Sequence, residues 1–243
     1  MEETSPPTDR DEGALMGKSA GGLLLVDKPA GLTSHDVVQR VRQLYAERSI
    51  GHLGTLDPFA TGLLVLLLGR ATRLATFLET EPKVYEATIT FGSETDTDDG
   101  TGTVTRSADA PREQEIRAAI GGLTGTLSQV PPAYSAKSVA GVRAYDAARR
   151  GAPLELPSVP VTVHEWDVLS IERGSLVARI TCSGGTYIRA LARDLGRGTG
   201  SAAHLSALRR TRVGDFDVRD AHSLEDLAAV RPPLRALRIV ADG

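Results

Sequence analysis

The chain has 243 residues, 41% hydrophobic and 24% charged, with a formal net charge of −3. That composition excludes a wholly disordered chain. The single cysteine, Cys182, excludes a disulfide scaffold, and the longest apolar run, Leu63 to Leu68, is too short to cross a bilayer. The negative balance, taken alone, argues against a protein devoted to nucleic acid.

In chain order, residues 1–22 hold five acids and two bases among Pro, Ser, Thr and Gly, with no apolar periodicity. They read as a disordered acidic tail, and no signal peptide is evident. The body then carries no net charge. Leu23 to Val26 reads as a buried strand. Thr33 and Asp36 form a helix-start signal, followed by Val37, Val41, Leu44 and Tyr45 at helical spacing. Gly51 to Gly62 reads as a loop, and Gly62 to Leu78 as an apolar run plus a helix. Val84 to Phe91 alternates, which places Tyr85, Ala87, Ile89 and Phe91 on one strand face. An acidic loop or hairpin is predicted over residues 92–111, and a helix from Pro111 to Ile120. Gln129 to Gly151 is proline-led, basic and aromatic. Strands are predicted over Val159–Ile171 and Leu176–Cys182. A helix with Ile188, Leu191 and Leu195 inside then stops at Gly196. This mixture lacks a βαβ rhythm and predicts an α+β fold with a mixed sheet.

Charge is segregated along the body. Phe91 to Glu115 holds seven acids against two arginines. Two basic blocks follow, residues 129–151 and residues 179–213, the second with seven arginines against Asp194. These blocks fit either solvated helix faces or a local basic face for RNA phosphates. No phosphate-binding or dinucleotide glycine signature occurs. His and Cys spacings offer no metal site. The run Asp96 to Gly100 fails as a calcium loop because its glycine falls at position 5 and position 12 is Ser107.

The informative segment is GHLGTLDPFATG, residues 51–62. On its residues alone it leaves two readings: Asp57 caps the next element, or Asp57 does chemistry before a proline that holds it extended. The segment resembles the catalytic motif of pseudouridine synthases of the TruB family, the branch that modifies uridine 55 in the tRNA T-arm. Further blocks match in the family's order: LLLVDKPAGLTSHDVV, KVYEATITFGSETDTDDGTG, PPAYSAKSVAGVRAYDAARRG, then CSGGTYIRALARDLG with AHLSALRRTRVG. They span roughly residues 23–214. Leu53 and Ser138 depart from the family's pattern, a small residue or Thr and a Lys standing there respectively. Residues 215–243 are too few for the PUA-type domain that many members carry.

The resemblance implies the pseudouridine synthase fold, a mostly antiparallel mixed sheet flanked by helices. It divides the chain into a tail (1–22), a catalytic domain (23–214) with an RNA-binding insertion at about 129–151, and a short appendage (215–243). It implies isomerisation of uridine to pseudouridine without a cofactor or metal. Asp57 would be the nucleophile, Arg189 its partner, and Tyr85 a stacking group for the base that assists proton transfer. Each has a plainer reading: Tyr85 as a core aromatic, Arg189 as a phosphate contact or surface charge. His52 would fill the space of the flipped-out base, or only hydrogen-bond its loop. Tyr187 and Leu208 would line the pocket, and Lys28 would support the active-site loop. Lys137, Arg143, Arg149 and Arg150 would grip RNA, with Arg209, Arg210 and Arg212 adding to that face. The implied partner is the tRNA T-arm, met by a cytoplasmic monomer with no membrane and no obligate protein partner. A non-catalytic tRNA-binding module is the alternative that the sequence leaves open.

Overall fold

The leucine-rich segment after the tail forms β1 (Gly22–Lys28), the first strand in a computed structural model that describes residues 21–135, 137–139, 141–152 and 154–235. The tail read at residues 1–20 lies outside the described residues, and Gly22 already belongs to the strand. Helix α1 (Ser34–Tyr45) starts at a reciprocal capping box. The Asp36 backbone N–H donates to Thr33 Oγ1 at 3.0 Å, and the Thr33 N–H donates to the Asp36 carboxylate at 2.9 Å. Its apolar stripe, Val37, Val38 and Val41, is buried.

The remaining elements follow in chain order. After β2 (Ile50–His52) and β3 (Thr61–Leu68) comes a 3₁₀ helix (Gly69–Phe77), then β4 (Lys83–Phe91). A hairpin of β5 (Ser93–Thr95) and β6 (Val104–Ser107) leads to α2 (Glu113–Gly122) and β7 (Gly125–Gln129). A second, small hairpin of β8 (Ser138–Val139) and β9 (Val142–Arg143) leads into α3 (Ala144–Arg149). Two long strands, β10 (Val159–Glu172) and β11 (Ser175–Cys182), precede α4 (Ile188–Gly198). The described chain closes with β12 (Ala203–Val213), β13 (Phe216–Asp217) and α5 (Leu224–Val230).

The main sheet runs β1-β3-β12-β4-β11-β10-β7, with β2 on β3 and β13 on β12. Its neighbours are antiparallel except β3 and β12, which meet in parallel at Thr61–Arg209 and Gly62–Arg210. This is the α+β, mostly antiparallel mixed sheet expected from the sequence. The parallel junction matters for the site, because it brings the end of the GHLGTLDPFATG loop against the closing arginine motif. The predicted face of β4 is realised: Tyr85, Ala87, Ile89 and Phe91 join Ile180, Leu191, Leu195 and Leu205 in one buried cluster.

Three expectations change. Gly196 does not end α4, which runs on to Gly198; a Cβ at Gly196 would lie 2.5 Å from the Ala203 nitrogen, so the glycine permits close packing onto β12. Part of the loop over residues 51–62 is strand, since Ile50–His52 pairs with β3. The segment read as an appendage contributes Leu224 and Leu227 to the core, and Arg235 pairs with Leu23 on the free edge of β1.

The segregated charges meet in space. Arginines 189, 193 and 197 recur every four residues along one face of α4. Arg193 bonds Asp98 at 2.8 Å, Arg197 pairs with Glu94, and Arg189 reaches the Thr97 carbonyl at 2.8 Å with Asp99 3.7 Å away. The acidic hairpin is therefore the counter-charge of three of the second block's seven arginines, while Arg212 of the same block is exposed.

Candidate active site

The motif loop follows β2 and is held by its backbone carbonyls. Lys28, fully buried, donates from Nζ to the Pro58 oxygen of this loop at 3.3 Å, and to the Pro29 and Leu32 oxygens of the turn after β1 at 2.9 and 2.6 Å. Ser34 Oγ accepts from the Leu56 N–H at 2.9 Å and lies 3.2 Å from the Leu56 oxygen. Arg210, 1% exposed, donates to the Leu63 oxygen at 2.8 Å and the Gly54 oxygen at 3.0 Å. Two buried cations thus bracket the loop on the sides where it offers acceptors. Burial lowers the Lys28 ammonium to about 8, a cost partly offset by the nearby Asp57 charge.

Asp57 stands at the tip of this clamped loop and meets Arg189 in a forked pair. Arg189 Nε donates to Oδ2 at 2.9 Å, and an Nη donates to Oδ1 at 3.1 Å. The guanidinium also donates to the Thr97 and Tyr134 oxygens, at 2.8 and 2.9 Å. Its side chain is 5% exposed, against 32% for Asp57. The arginine is fixed from behind, and the carboxylate opens forward into a cleft.

That cleft has a volume of about 1120 Å³. His52, Asp57, Tyr85, Tyr187, Arg189 and Leu208 all line it. The structure therefore brings together these six residues singled out from sequence, with Arg143 and Arg210 also on the lining. Burial raises the Tyr85 hydroxyl, opposed by the Arg210 charge, and burial likewise raises Tyr187. Burial and then the positive charge of Arg210 lower the His52 imidazole, which favours its neutral form at neutral pH.

Lys28 does not line the cleft; it lies behind the loop, in the supporting place that the resemblance implies for it. Other residues are not where the sequence suggested. Arg210 is not on an outer RNA face; it is one of the loop's clamps. Arg209 is drawn into a pair with Asp27 at 2.7 Å. Of the insertion's cations, Arg143 lines the cleft, while Lys137, Arg149 and Arg150 are exposed away from it. Arg149 stacks 4.5 Å over the Tyr145 ring, which meets Tyr134 edge-on. Ser138 lines the cleft, whereas Leu53 is buried beside Leu63 and Val65 away from it.

Lys83 also lines the cleft, although the sequence motifs do not single it out, and its ammonium is lowered by burial and by Arg210. A signal is present: Lys83 precedes Tyr85 by two on a strand, so both point to one face. His35, at the start of α1, is a further lining residue. No group of His, Cys, Asp or Glu that could hold a metal ion occurs among the described residues.

Residues 42–188 match the family described as TruB family pseudouridylate synthase (N terminal domain), and residues 189–234 match the tRNA pseudouridylate synthase B C-terminal domain. The tRNA pseudouridine synthase B of Thermobifida fusca is 53% identical over 220 residues, covering 86% of this chain and 75% of that one. Its counterpart in Mycolicibacterium paratuberculosis is 51% identical over 216 residues, covering 86% of this chain and 74% of that protein. Among solved structures, a Cbf5-Nop10-Gar1 complex matches with a TM-score of 0.68 at 30% identity. An H/ACA RNP bound to a substrate RNA containing 2'-deoxyuridine matches with a TM-score of 0.64 at 29% identity. Both alignments cover 86% of this chain and about half of the other, 54% and 53%.

Proposed function

The chain belongs to the TruB family of pseudouridylate synthases, and we propose that it converts uridine to pseudouridine at position 55 of the tRNA T-arm. The observation that carries this reading is the forked Asp57–Arg189 pair at the floor of the cleft. An arginine fixed by two backbone carbonyls holds a half-open carboxylate at one angle by two further bonds, as a nucleophile that must attack and later leave requires.

The reaction breaks the N1–C1′ bond and forms a C5–C1′ bond. The proton at C5 is lost and N1 gains one, so atoms and charge balance without a redox partner. Asp57 bonds to the flipped-out nucleotide and is released as the isomer forms. Tyr85 stacks on the base and assists the transfer of the C5 proton. His52 stands beside the vacated stack, and Tyr187 and Leu208 complete an apolar wall that excludes water. Lys28 acts by holding the loop. Lys137, Arg143, Arg149 and Arg150 bind the arm's phosphates.

The partner is tRNA, met by a monomer in the cytoplasm. No helix among the described residues is long and apolar enough to cross a membrane. The test is tritium release from T-arm RNA labelled at C5 of uridine, comparing the wild type with Asp57→Ala. Release by the wild type alone is expected. Wild-type protein that binds the RNA and releases nothing overturns the reading in favour of a binding module. A panel of T-arm, anticodon-arm and ribosomal hairpins tests the site, and preference for another hairpin removes the position-55 assignment.

A further inference from the structure

We propose that Gln129, the last residue of β7, is a positioning residue that sets the first turn of α4 and thereby aims Tyr187 and Arg189 at the reacting centre. The inference rests on the enzymatic reading above.

Helix α4 carries the catalytic arginine in its first turn, yet its N-cap residue, Tyr187, makes no side-chain capping bond. A helix start leaves backbone N–H groups without partners, normally answered by a Ser, Thr, Asp or Asn at the cap. Here the answer comes from 58 residues away. Gln129 Oε1 accepts from the Tyr187 N–H at 2.9 Å, and Gln129 Nε2 donates to the Tyr187 oxygen at 3.1 Å. One buried amide, 2% exposed, thus fixes both backbone polar groups of the residue whose ring lines the cleft.

Two of the five residues that follow Gln129 are fastened to the same helix. The Val130 oxygen accepts from Arg193 at 2.9 Å, and the Tyr134 oxygen accepts from Arg189 at 2.9 Å. The chain from Gln129 to Tyr134 leads directly into the basic hairpin and α3. The segment that would meet RNA is therefore anchored, through Gln129, to the helix that holds Asp57. Among these anchors only Gln129 acts by its own side chain.

The experiment measures tritium release under saturating and limiting RNA for the wild type, Gln129→Met and Gln129→Glu, with melting temperature alongside. Methionine keeps the volume and loses both bonds. Its kcat is expected to fall by about 10- to 100-fold, the scale of a small misplacement of a catalytic group, with little change in KM. Glutamate, when protonated, is again both donor and acceptor, and burial favours that form. Gln129→Glu is therefore expected to regain activity relative to the wild type as pH falls from 8 to 5.5, while Gln129→Met does not. A space-filling role would leave Gln129→Met with wild-type kcat, and that result overturns the proposal. So does an effect on KM alone, or loss of the fold in both variants. A wild type that releases no tritium fails the enzymatic reading instead, so the two failures are distinguishable.

Discussion

Gly62 leaves no room for a side chain against Arg210: a Cβ there would lie 2.2 Å from the Arg210 oxygen, at a φ of +100°. The same Arg210 sends its guanidinium back to the Gly54 and Leu63 oxygens, so one residue closes the parallel β3–β12 junction and clamps the loop that carries Asp57. Gly62→Ala is expected to destabilise the protein by roughly 3 kcal/mol or more, combining an unfavourable backbone region with overpacking against a backbone atom. Urea unfolding checks this, and a loss within about 0.5 kcal/mol, the scale of an ordinary surface change, contradicts the packing described.

Lys28 gives a pH dependence. Its folded value is lowered to about 8 from 10.5 by burial. Below pH 8 both folded and unfolded chains carry the proton, and the burial cost is fully present. Between pH 8 and 10.5 the folded amine has shed a proton that the unfolded chain keeps, so this group makes stability rise with pH. The stability of wild type minus that of Lys28→Met should therefore climb across that window. A flat difference from pH 7.5 to 10 refutes the shift.

How much of this is legible in the sequence follows from the range of each interaction. The alternation in Val84–Phe91 and the Thr33–Asp36 box are local, and both form as the residues dictate. The motif loop is legible as a pattern, and its residues converge on one cleft. The fate of the arginines is not. Charge counts do not distinguish an arginine facing RNA from Arg193 or Arg210, whose bonds to Asp98 and to Gly54 span about a hundred residues or more. Gln129 is invisible for the same reason: nothing in its neighbourhood announces Tyr187 as its partner.

Arg189 should not tolerate lysine. A lysine keeps the charge but cannot present a planar fork to both Asp57 oxygens while also meeting the Thr97 and Tyr134 carbonyls. Arg189→Lys is expected to lower kcat by about 100-fold or more, comparable to loss of oriented catalytic geometry. Single-turnover tritium release with RNA in excess of Kd measures it. Activity within about threefold of the wild type would show that charge, not the fork, is what Asp57 needs.

The arginines also sort into exposed and internally paired groups, and on the proposed reading salt separates them. Arg149 and Arg150 are exposed on the insertion, with Arg149 held over Tyr145. Arg179 is equally charged, but it pairs with Glu86 and Asp167 on the sheet face opposite Tyr85. Every cation taken off an RNA phosphate lowers the slope of log affinity against log salt by about one unit. Arg149→Glu combined with Arg150→Glu should weaken T-arm binding and flatten that slope by about two units. Arg179→Glu should leave both affinity and slope unchanged. Filter binding from 50 to 300 mM salt decides: an unaltered slope in the double variant removes the insertion from the RNA interface, and an altered slope in Arg179→Glu extends that interface to the sheet's outer face.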